Sequence, residues 1–312
     1  MMSQNEIRKV VIIGGGPAGY TAAIYAARAA AAPLLIEGYE PGGQLMTTTD
    51  IENFPGFKEP VAGSQLMSDM REQAARVGAS FLSGAVLRVD LSVRPYRVVT
   101  DSGELLAKTI IVATGARAKY LGLPSEQAFM GRGVSACATC DGFFYRGKVV
   151  AVVGGGDTAC EEATYLTNHA TRVYLIHRRN ELRASKIMAD RLLSNPKVEP
   201  IWSHAVDEVL GDDSGVTGLR LRNVSDGATR ELALDGVFMA IGHTPMTAFL
   251  EGQLSLDANG FIVTVPGTSS TSVKGVFAAG DVRDPVYRQA ITAAGTGCMA
   301  AIEATRLLEH ED

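Results

Sequence analysis

Cysteine is scarce in this sequence, with four residues among 312. Small secreted proteins are held together by many regularly spaced cysteines, so four uneven ones exclude a disulfide framework for a chain this long. Any structural or chemical role of these cysteines must therefore be local. Cys160 and Cys298 lie in apolar, helix-like stretches, where we expect small buried side chains without a chemical role. Cys137 and Cys140 stand apart as a close pair.

Strong net charge and long apolar runs are also absent. The 29 basic and 34 acidic residues give a net charge of −5, which provides no general attraction to nucleic acid or anionic lipid. No uninterrupted apolar run reaches the roughly 18 residues of a membrane span. Residues 1–16 lack the basic region, long apolar core and cleavage site of a secretory signal. We therefore expect no nucleic acid partner, no membrane and a cytoplasmic location.

One sequence pattern occurs twice. Residues 9–13 and 148–153 are rich in β-branched side chains, end in three glycines and precede alanine-rich helical patterns. A second apolar run follows each helix, at 33–37 and 172–177. This order predicts two βαβ units of doubly wound nucleotide-binding sheets. A chain of this length has room for two such domains, each with its own core.

Further patterns suggest how the domains are connected. Alternation at 96–100 and the turn at 101–103 predict an antiparallel hairpin within the first domain. The last segment carries glycine-rich signals of its own, so we expect the chain to return to the first domain. The predicted fold is α/β, with two Rossmann-like domains of the three-layer ββα type, the second inserted into the first through a two-stranded hinge. We predict three further strands at 109–116, 236–243 and 275–281. The two hinge segments are predicted at 115–123 and 242–247. The first domain is predicted at 1–117 with 245–312, and the second at 118–244.

The first glycine turn has the spacing of a dinucleotide-binding fingerprint. Gly14, Gly16 and Gly19 follow a predicted strand and open a helix, where backbone N–H groups can approach a pyrophosphate. Glu37 comes 23 residues after Gly14, at a strand end where a carboxylate can accept hydrogen bonds from ribose hydroxyls. A plain glycine turn and a solvated glutamate are the alternatives. We predict FAD in this domain.

The second turn has Gly154, Gly156 and Ala159 at the same spacing. Where the first copy has its acid, this copy has a basic cluster: His177, Arg178, Arg179 and Arg183. Such a cluster suits the 2′-phosphate of NADPH, because hydrogen bonds to ionised groups are worth about 1.5 to 3 kcal/mol each. The alternative is a solvated basic face. The position after a fingerprint favours NADPH in the second domain.

The pair Cys137 and Cys140 allows three interpretations. A zinc site would need a second CxxC or a pair of histidines at suitable spacing, so we predict no metal. A structural staple would close a loop of four residues and contribute about 2 kcal/mol or less. Two neighbouring thiols can instead resolve each other's mixed disulfides, with a thiolate near a helix start as the attacking species. The sequence therefore favours a redox pair.

Asp141 directly follows the pair. It is a candidate acid and base for the proton that thiol chemistry must move. It is also a candidate helix N-cap. The two roles are compatible, and both are kept as expectations.

Taken together, these motifs resemble the bacterial-type low-molecular-weight thioredoxin reductases along essentially the whole chain. The motifs that carry the resemblance are GGGPAG (14–19), GGQL (42–45), ENFPGF (52–57), CATCDG (137–142), GGGDTA (154–159), HRRNELR (177–183), AAGDV (278–282) and RQAITAAGTG (288–297). Members of that family are FAD-containing homodimers that use NADPH to reduce thioredoxin. The resemblance implies the same activity, cofactors, partner and assembly for this chain.

The resemblance also implies individual roles. Cys140 would lie next to the flavin and receive its electrons, and Cys137 would attack the disulfide of thioredoxin. Asp141 would protonate the outgoing thiolate or a flavin-linked intermediate. The second domain would rotate about the hinge during turnover. Implied FAD contacts are Gly14, Gly16, Pro17, Ala18, Gly19, Glu37, Gly38, Gly42, Gly43, Gln44, Leu45, Asn53, Gly115, Gly280, Asp281, Arg288, Gln289 and Ala290. Implied NADPH contacts are Gly154, Gly156, Asp157, Thr158, Ala159, His177, Arg178, Arg179 and Arg183.

Two other functions fit part of the pattern. A ferredoxin or flavodoxin reductase of similar fold delivers single electrons and needs no cysteine pair. A nucleotide-sensing or structural flavoprotein would carry the pair by accident. Cys137 and Cys140 favour the disulfide reductase over both.

Overall fold

A computed structural model describes residues 7–47 and 50–311. Its Cα packing divides the chain into two compact units. Unit 1 takes the described residues up to Arg117 and from Thr244 onward, and unit 2 is Ala118–His243. Residues 1–6, 48–49 and 312 of the predicted first domain lie outside the described residues.

The first part of the chain forms most of the unit 1 sheet and two of its helices. In chain order the elements are β1 (Ile7–Ile13), α1 (Pro17–Arg28), β2 (Leu34–Ile36), β3 (Asp50–Ile51), β4 (Val61–Ala62), α2 (Gly63–Arg76), β5 (Ser80–Leu82), β6 (Val86–Asp90), β7 (Tyr96–Thr100), β8 (Gly103–Val112) and β9 (Ala116–Ala118).

The middle of the chain forms unit 2. Its elements are α3 (Pro124–Ala128), β10 (Val134–Ser135), α4 (Ala138–Asp141), β11 (Val149–Gly154), α5 (Asp157–Leu166), β12 (Arg172–His177), α6 (Lys186–Leu193), β13 (Val198–Trp202), β14 (His204–Asp212), β15 (Gly215–Asn223), β16 (Thr229–Ala233) and β17 (Gly236–Ala240).

The chain then returns to unit 1 through β18 (His243–Pro245), β19 (Val276–Ala278) and the long helix α7 (Ala290–Glu309). Short 3₁₀ turns lie at Gly43–Thr47, Gly142–Tyr145, Ala248–Leu250 and Gly280–Val282. β9 and β18, predicted as connecting strands, pair with each other in a separate two-stranded sheet.

The main sheet of unit 1 has seven strands. Its order is β5-β2-β1-β8-β7-β6, and β19 pairs with the C-terminal half of β8. The strands β5, β2, β1, β8 and β19 pair with one another in parallel, whereas β7 is antiparallel to both β8 and β6. The hairpin β7–β8 is the predicted one, and β6 extends it. The pairing of β19 with β8 shows that the end of the chain completes the sheet begun by β1.

Unit 2 has a five-stranded parallel sheet of order β10-β17-β11-β12-β13. A separate antiparallel sheet, β14-β15-β16, forms its second β layer. Both units are thus α/β, and the second is inserted into the first. This confirms the predicted fold class.

The two central strands form because their side chains are apolar on both faces. In β1, Val10 and Ile12 pack into one core cluster and Val11 and Ile13 into another. β11 divides its side chains between two clusters of unit 2 in the same way. Since successive side chains of a strand point to opposite faces, each central strand is covered on both sides.

Several predicted strand bounds differ from the structure. The strand predicted at 109–116 is β8, which begins at Gly103 and ends at Val112. It begins earlier because residues 103–107 pair with β7, an antiparallel partner that the apolar run alone does not reveal. The strands predicted at 236–243 and 275–281 are the shorter β17 and β19. In the described part of the chain, no helix has the length and apolarity to cross a membrane.

Glycine in α7 provides a test of the packing of unit 1. A Cβ atom on Gly297 would overlap the carbonyl oxygen of Ala18, whereas one on Gly295 would meet nothing within 4 Å. We expect Gly297→Ala to lower the free energy of unfolding by about 1 to 3 kcal/mol, the usual result of overpacking. Chemical denaturation of each variant measures the effect.

Gly295→Ala is the matched control in the same helix. Alanine has the higher helix propensity, by about 1 kcal/mol, so this change should stabilise the protein. Equal effects of the two substitutions would contradict the close approach of α7 to Ala18.

Candidate functional site

The fingerprint turn of unit 1 is closed by backbone contacts that only glycine permits. Gly14 has φ +118°, and a Cβ atom there would overlap the carbonyl oxygen of Ala113. A Cβ atom on Gly19 would overlap the carbonyl oxygen of Gly14. These contacts place the start of α1 directly against the ends of β1 and β8.

The space in front of α1 is open. Gly16 is the N-cap residue, no side chain caps the helix, and Pro17 takes the first helical position. A Cβ atom on Gly16 would meet nothing within 4 Å. The unpaired N–H groups of a helix start, including those near Ala18, attract anions. The turn therefore fits the pyrophosphate of a dinucleotide such as FAD.

A second segment lies beside this turn. The N–H group of Gly42 donates to the carbonyl oxygen of Gly15 at 2.8 Å, and a Cβ atom on Gly43 would lie 3.9 Å from the Cα of Gly16. The Gln44 amide donates to the carbonyl oxygen of Ala116. The structure thus brings the predicted FAD residues of the GGQL motif to the fingerprint turn. Leu45 packs against the adjoining core cluster.

The end of the chain reaches the same turn. Gly280 has φ +74°, and a Cβ atom there would lie 2.9 Å from the Cβ of Ala18. The hydroxyl oxygen of Thr296 accepts the Gly280 N–H at 2.9 Å. Thr296 is therefore a support of the site that the sequence analysis quoted within a motif but did not single out.

Other predicted FAD residues form a second group near the start of α7. The Asn53 amide lies 3.5 Å from the side-chain oxygen of Gln289, and Ala290 is the first residue of α7. Arg288 has the unusual φ of +49°, and its N–H donates to Asp284 at 3.3 Å.

Two predicted FAD glycines have their own backbone partners. The carbonyl oxygen of Gly115 accepts from the N–H of Met246 at 3.0 Å, and the N–H of Gly38 donates to the carbonyl oxygen of Gly84 at 3.1 Å. Gly38 and Gly115 have φ of +80° and +72°, which explains glycine at both positions.

The carboxyl group of Asp281 has a raised pKa. Burial, together with the nearby negative charge of Asp284, raises the pKa of Asp281 to about 7, while Arg288 acts in the opposite direction. Near neutral pH the carboxyl group can therefore either donate or accept a hydrogen bond.

Glu37 is buried rather than solvated, so the alternative of a solvated glutamate is wrong. Its side chain is 2% exposed. It accepts hydrogen bonds from Tyr20 at 2.9 Å and from Arg71 at 2.7 and 3.1 Å. A carboxylate has about four acceptor sites, so one is left for a further donor such as a ribose hydroxyl.

Arg71 is a residue that the sequence analysis missed. It lies on α2, 34 positions after Glu37, and no local motif marks it. Burial and the neighbouring Glu37 raise the pKa of Tyr20, so its hydroxyl stays protonated as the donor to Glu37.

The turn of unit 2 repeats the arrangement of the first. A Cβ atom on Gly154 would overlap the carbonyl oxygen of Ala240 and lie 2.7 Å from the Cβ of Ala159. Gly156 is the N-cap of α5, no side chain caps it, and a Cβ atom there would meet nothing within 4 Å. Thr158 lies in the first turn of α5. This second open helix start fits a second dinucleotide.

The basic segment is fastened to this turn at two points. The N–H of Arg183 donates to the carbonyl oxygen of Gly155 at 2.7 Å. The N–H of Ser185 donates to the carboxylate of Asp157 at 2.7 Å. Arg178, Arg179 and Arg183 are exposed. The structure therefore holds the predicted phosphate-binding segment beside the start of α5.

His177 differs from the arginines because it is buried. Its ring lies over Gly155, where a Cβ atom would overlap it, and its Nε2 atom has no hydrogen-bond partner. Burial, followed by the positive charges of Arg183 and Arg179, lowers the pKa of His177. The ring is therefore neutral at neutral pH and supports the turn without adding positive charge.

Cys137 and Cys140 are joined by a disulfide, with their Cα atoms 5.3 Å apart. Cys137 is the N-cap of the four-residue helix α4, and its sulfur accepts the N–H of Cys140 at 3.2 Å. Cys140 is exposed and Cys137 is half-buried. In residues 7–47 and 50–311, no group of three or more histidine, cysteine or acidic side chains is placed to hold a metal ion.

Asp141 ends α4 and is the N-cap residue of the 3₁₀ turn Gly142–Tyr145, as the alternative predicted, but its side chain makes no cap hydrogen bond. The cap position of α4 itself belongs to Cys137. The carboxylate of Asp141 instead accepts a hydrogen bond from the hydroxyl of Ser135 at 2.6 Å. Burial raises the pKa of Asp141, and the Ser135 hydrogen bond partly opposes this. Ser135, six residues earlier, is a second functional residue that the sequence analysis missed.

Comparisons with known proteins agree with this geometry. The chain matches the family "Pyridine nucleotide-disulphide oxidoreductase" over residues 8–297. It is 56% identical to a thioredoxin reductase of Rickettsia felis over 306 residues, covering 96% of this chain and 98% of that protein. It is 53% identical to a thioredoxin reductase of Vibrio cholerae, covering 99% of each.

Among solved structures, the thioredoxin reductase from Giardia duodenalis superposes with a TM-score of 0.94 at 45% identity. The match covers 98% of this chain and 100% of that one. Two open glycine turns, a disulfide beside a buried acid and these likenesses lead to one assignment. This chain belongs to the pyridine nucleotide-disulphide oxidoreductase family.

Proposed function

We propose that the chain is an NADPH-dependent, FAD-containing thioredoxin-disulfide reductase. The observation that carries the proposal is the Cys137–Cys140 disulfide, with the half-buried Asp141 directly after it, in the unit that also contains the second glycine turn. The relatives named thioredoxin reductase support the choice of acceptor. Anaerobic titration of the yellow protein with NADPH, followed by mixing with oxidised thioredoxin, tests the proposal directly.

The two open turns are assigned to the two nucleotides. In this proposal unit 1 holds FAD with Gly14, Gly16, Gly19 and the carboxylate of Glu37, and unit 2 holds NADPH at Gly156. Bound FAD supplies a two-electron carrier between the nicotinamide and sulfur. Arg178, Arg179 and Arg183 would bind the 2′-phosphate, since their side chains are exposed on the segment fastened to the α5 turn.

The net reaction converts NADPH, one proton and thioredoxin disulfide into NADP⁺ and thioredoxin dithiol. In the reductive half, Cys140 receives the electron pair, the Cys137–Cys140 bond breaks and Cys137 leaves as a thiolate. Asp141 gives this thiolate a proton, because burial raises the pKa of its carboxyl group and so favours the acid form. In the second half, Cys137 returns its proton to Asp141 and attacks one sulfur of the thioredoxin disulfide, so that a mixed disulfide forms and the other thioredoxin sulfur leaves and takes up a proton. Cys140 then gives up its proton and attacks the Cys137 sulfur, which restores the Cys137–Cys140 disulfide and releases the second thioredoxin sulfur as a thiol.

Assembly and location follow as further parts of the proposal. We expect a homodimer in the cytoplasm, with thioredoxin as the protein substrate and no nucleic acid or membrane partner. We also expect the two units to reorient during turnover, because unit 2 contains both the proposed NADPH turn and the cysteine pair.

Cys140→Ser separates this function from single-electron flavin chemistry. We expect the variant to lose thioredoxin reduction while it keeps FAD binding and NADPH-driven reduction of an artificial acceptor. Stopped-flow absorbance and a coupled thioredoxin assay measure the two activities. Cys298→Ser, a half-buried cysteine outside the pair, is the control and should reduce thioredoxin normally. Full thioredoxin reduction by Cys140→Ser would contradict the proposal.

The basic segment makes a prediction about coenzyme choice. We expect the double variant Arg178→Gln, Arg179→Gln to raise the KM for NADPH about tenfold or more, because charge-assisted hydrogen bonds to the 2′-phosphate are lost. The KM for NADH should change little. Arg230→Gln, an exposed position on β16, is the matched control. Equal losses with both coenzymes would exclude the 2′-phosphate assignment.

Asp141 makes a prediction about pH. Burial raises the pKa of its carboxyl group, so the acid form persists to higher pH than usual and is lost as pH rises through that pKa. The rate of thioredoxin reduction should therefore fall as pH rises through that pKa. This fall is the high-pH limb of the pH profile. Asp141→Asn should lower kcat by about 100-fold, the lower range for general acid catalysis, and should remove this limb. A variant that keeps the limb would show that another group supplies the proton.

A further inference from the structure

We propose that Ser135 is a positioning residue for the disulfide chemistry: its hydroxyl links the Cys137 backbone amide to the Asp141 carboxyl group and holds that group in place. The inference rests on the proposed function, in which Asp141 is the proton donor. The comparisons and motifs assign no role to Ser135.

Ser135 is held by the sheet of unit 2. It is the last residue of β10, which pairs in parallel with β17, where Ser135 lies opposite Phe238. Ser135 is 7% exposed and Phe238 is fully buried. A hydroxyl on a buried strand has a fixed position, in contrast to one on an exposed loop.

The hydrogen bonds of this hydroxyl join both parts of the site. The Ser135 Oγ donates to Oδ2 of Asp141 at 2.6 Å and accepts the N–H of Cys137 at 3.1 Å. A hydroxyl has one proton, so donation to Asp141 is favoured over the Cys137 carbonyl oxygen, which lies 3.5 Å away. Ser135 thus spans from the sheet to the cap residue of α4 and to the acid at its end.

The charge of Asp141 depends on this contact. Burial favours the protonated acid, while the Ser135 hydrogen bond favours the carboxylate. Among the described residues, the titratable side chains of Tyr120 and Tyr145 interact electrostatically with Asp141. Burial raises the pKa of both, that of Tyr145 to about 12, so both are neutral phenols near pH 7. Removing the Ser135 hydroxyl therefore leaves burial unopposed and should make Asp141 a weaker acid.

The test compares Ser135→Ala and Ser135→Thr in the FAD-loaded protein. We expect the alanine variant to shift the high-pH limb of thioredoxin reduction upward by about one pH unit, as loss of one hydrogen bond to a carboxylate implies. Threonine keeps a hydroxyl and should restore the limb. Ser225→Ala, an exposed serine of unit 2, should leave the profile unchanged. FAD absorbance and the unfolding temperature verify that each variant is folded.

A double variant isolates the effect of the hydrogen bond between Ser135 and Asp141. In the Asp141→Asn background, where the high-pH limb is expected to be absent, Ser135→Ala should cause no further change in the shape of the pH profile. An unshifted profile in Ser135→Ala, with kcat lowered equally at all pH values, would overturn the proposal and leave Ser135 a purely structural role. If the unsubstituted protein fails to reduce thioredoxin, the proposed function fails first, and the two failures are thereby distinguished.

If the alanine variant does not fold, the hydrogen bond between Ser135 and Asp141 can be tested in the unsubstituted protein. An isotope-edited infrared titration of its aspartates, with Asp141→Asn as the blank, reports the hydrogen bonding of the Asp141 carboxyl group. A hydrogen-bonded band supports the proposal. A band of an unbonded carboxyl group would overturn it.

Discussion

Both units depend on one constraint: at each fingerprint turn, one backbone segment approaches another so closely that only glycine fits. At Gly14, Gly19 and Gly154 a Cβ atom would overlap a carbonyl oxygen. These contacts allow the helix that follows to start directly at the strand ends, so its unpaired N–H groups face open space at Gly16 and Gly156. A dinucleotide site can form there because no side chain occupies the space in which a phosphate would bind.

Local chemistry could be predicted from the sequence, and distant partners could not. The glycine turns, the central strands and the cysteine pair are each specified by neighbouring residues, and their types were predicted correctly. The partners of the two acids lie on other elements: Arg71 reaches Glu37 from α2, and Ser135, six residues before Asp141, reaches it from the end of β10. Neither contact has a sequence signature, because the first depends on how α2 packs and the second on how the chain turns between β10 and α4.

Burial gives the acids of this protein different chemical characters. Glu37 is surrounded by a cation and a phenol donor, which suit a permanent acceptor. Asp141 has one neutral donor, and Asp281 has the negative charge of Asp284 nearby, so burial raises the pKa of both. The same side-chain chemistry thus supplies a hydrogen-bond acceptor at Glu37 and carboxyl groups of raised pKa at Asp141 and Asp281, because burial acts together with different neighbours at each position.

In this site the sulfur atoms of the cysteine pair and the carboxyl group of Asp141 have different solvent exposures to suit different tasks. Its sulfurs must meet two different partners in turn, and Cys140 is accordingly exposed while Cys137 is half-buried. In the proposed mechanism the proton donor needs the opposite environment, since a solvated aspartate would lose its proton well below neutral pH. A helix as short as α4 meets both demands: it presents Cys140 to solvent and, one residue later, places Asp141 against the hydroxyl of a buried strand. In that mechanism the pairing of β10 with β17, which places Ser135, bears on proton transfer as the cysteines bear on electron transfer.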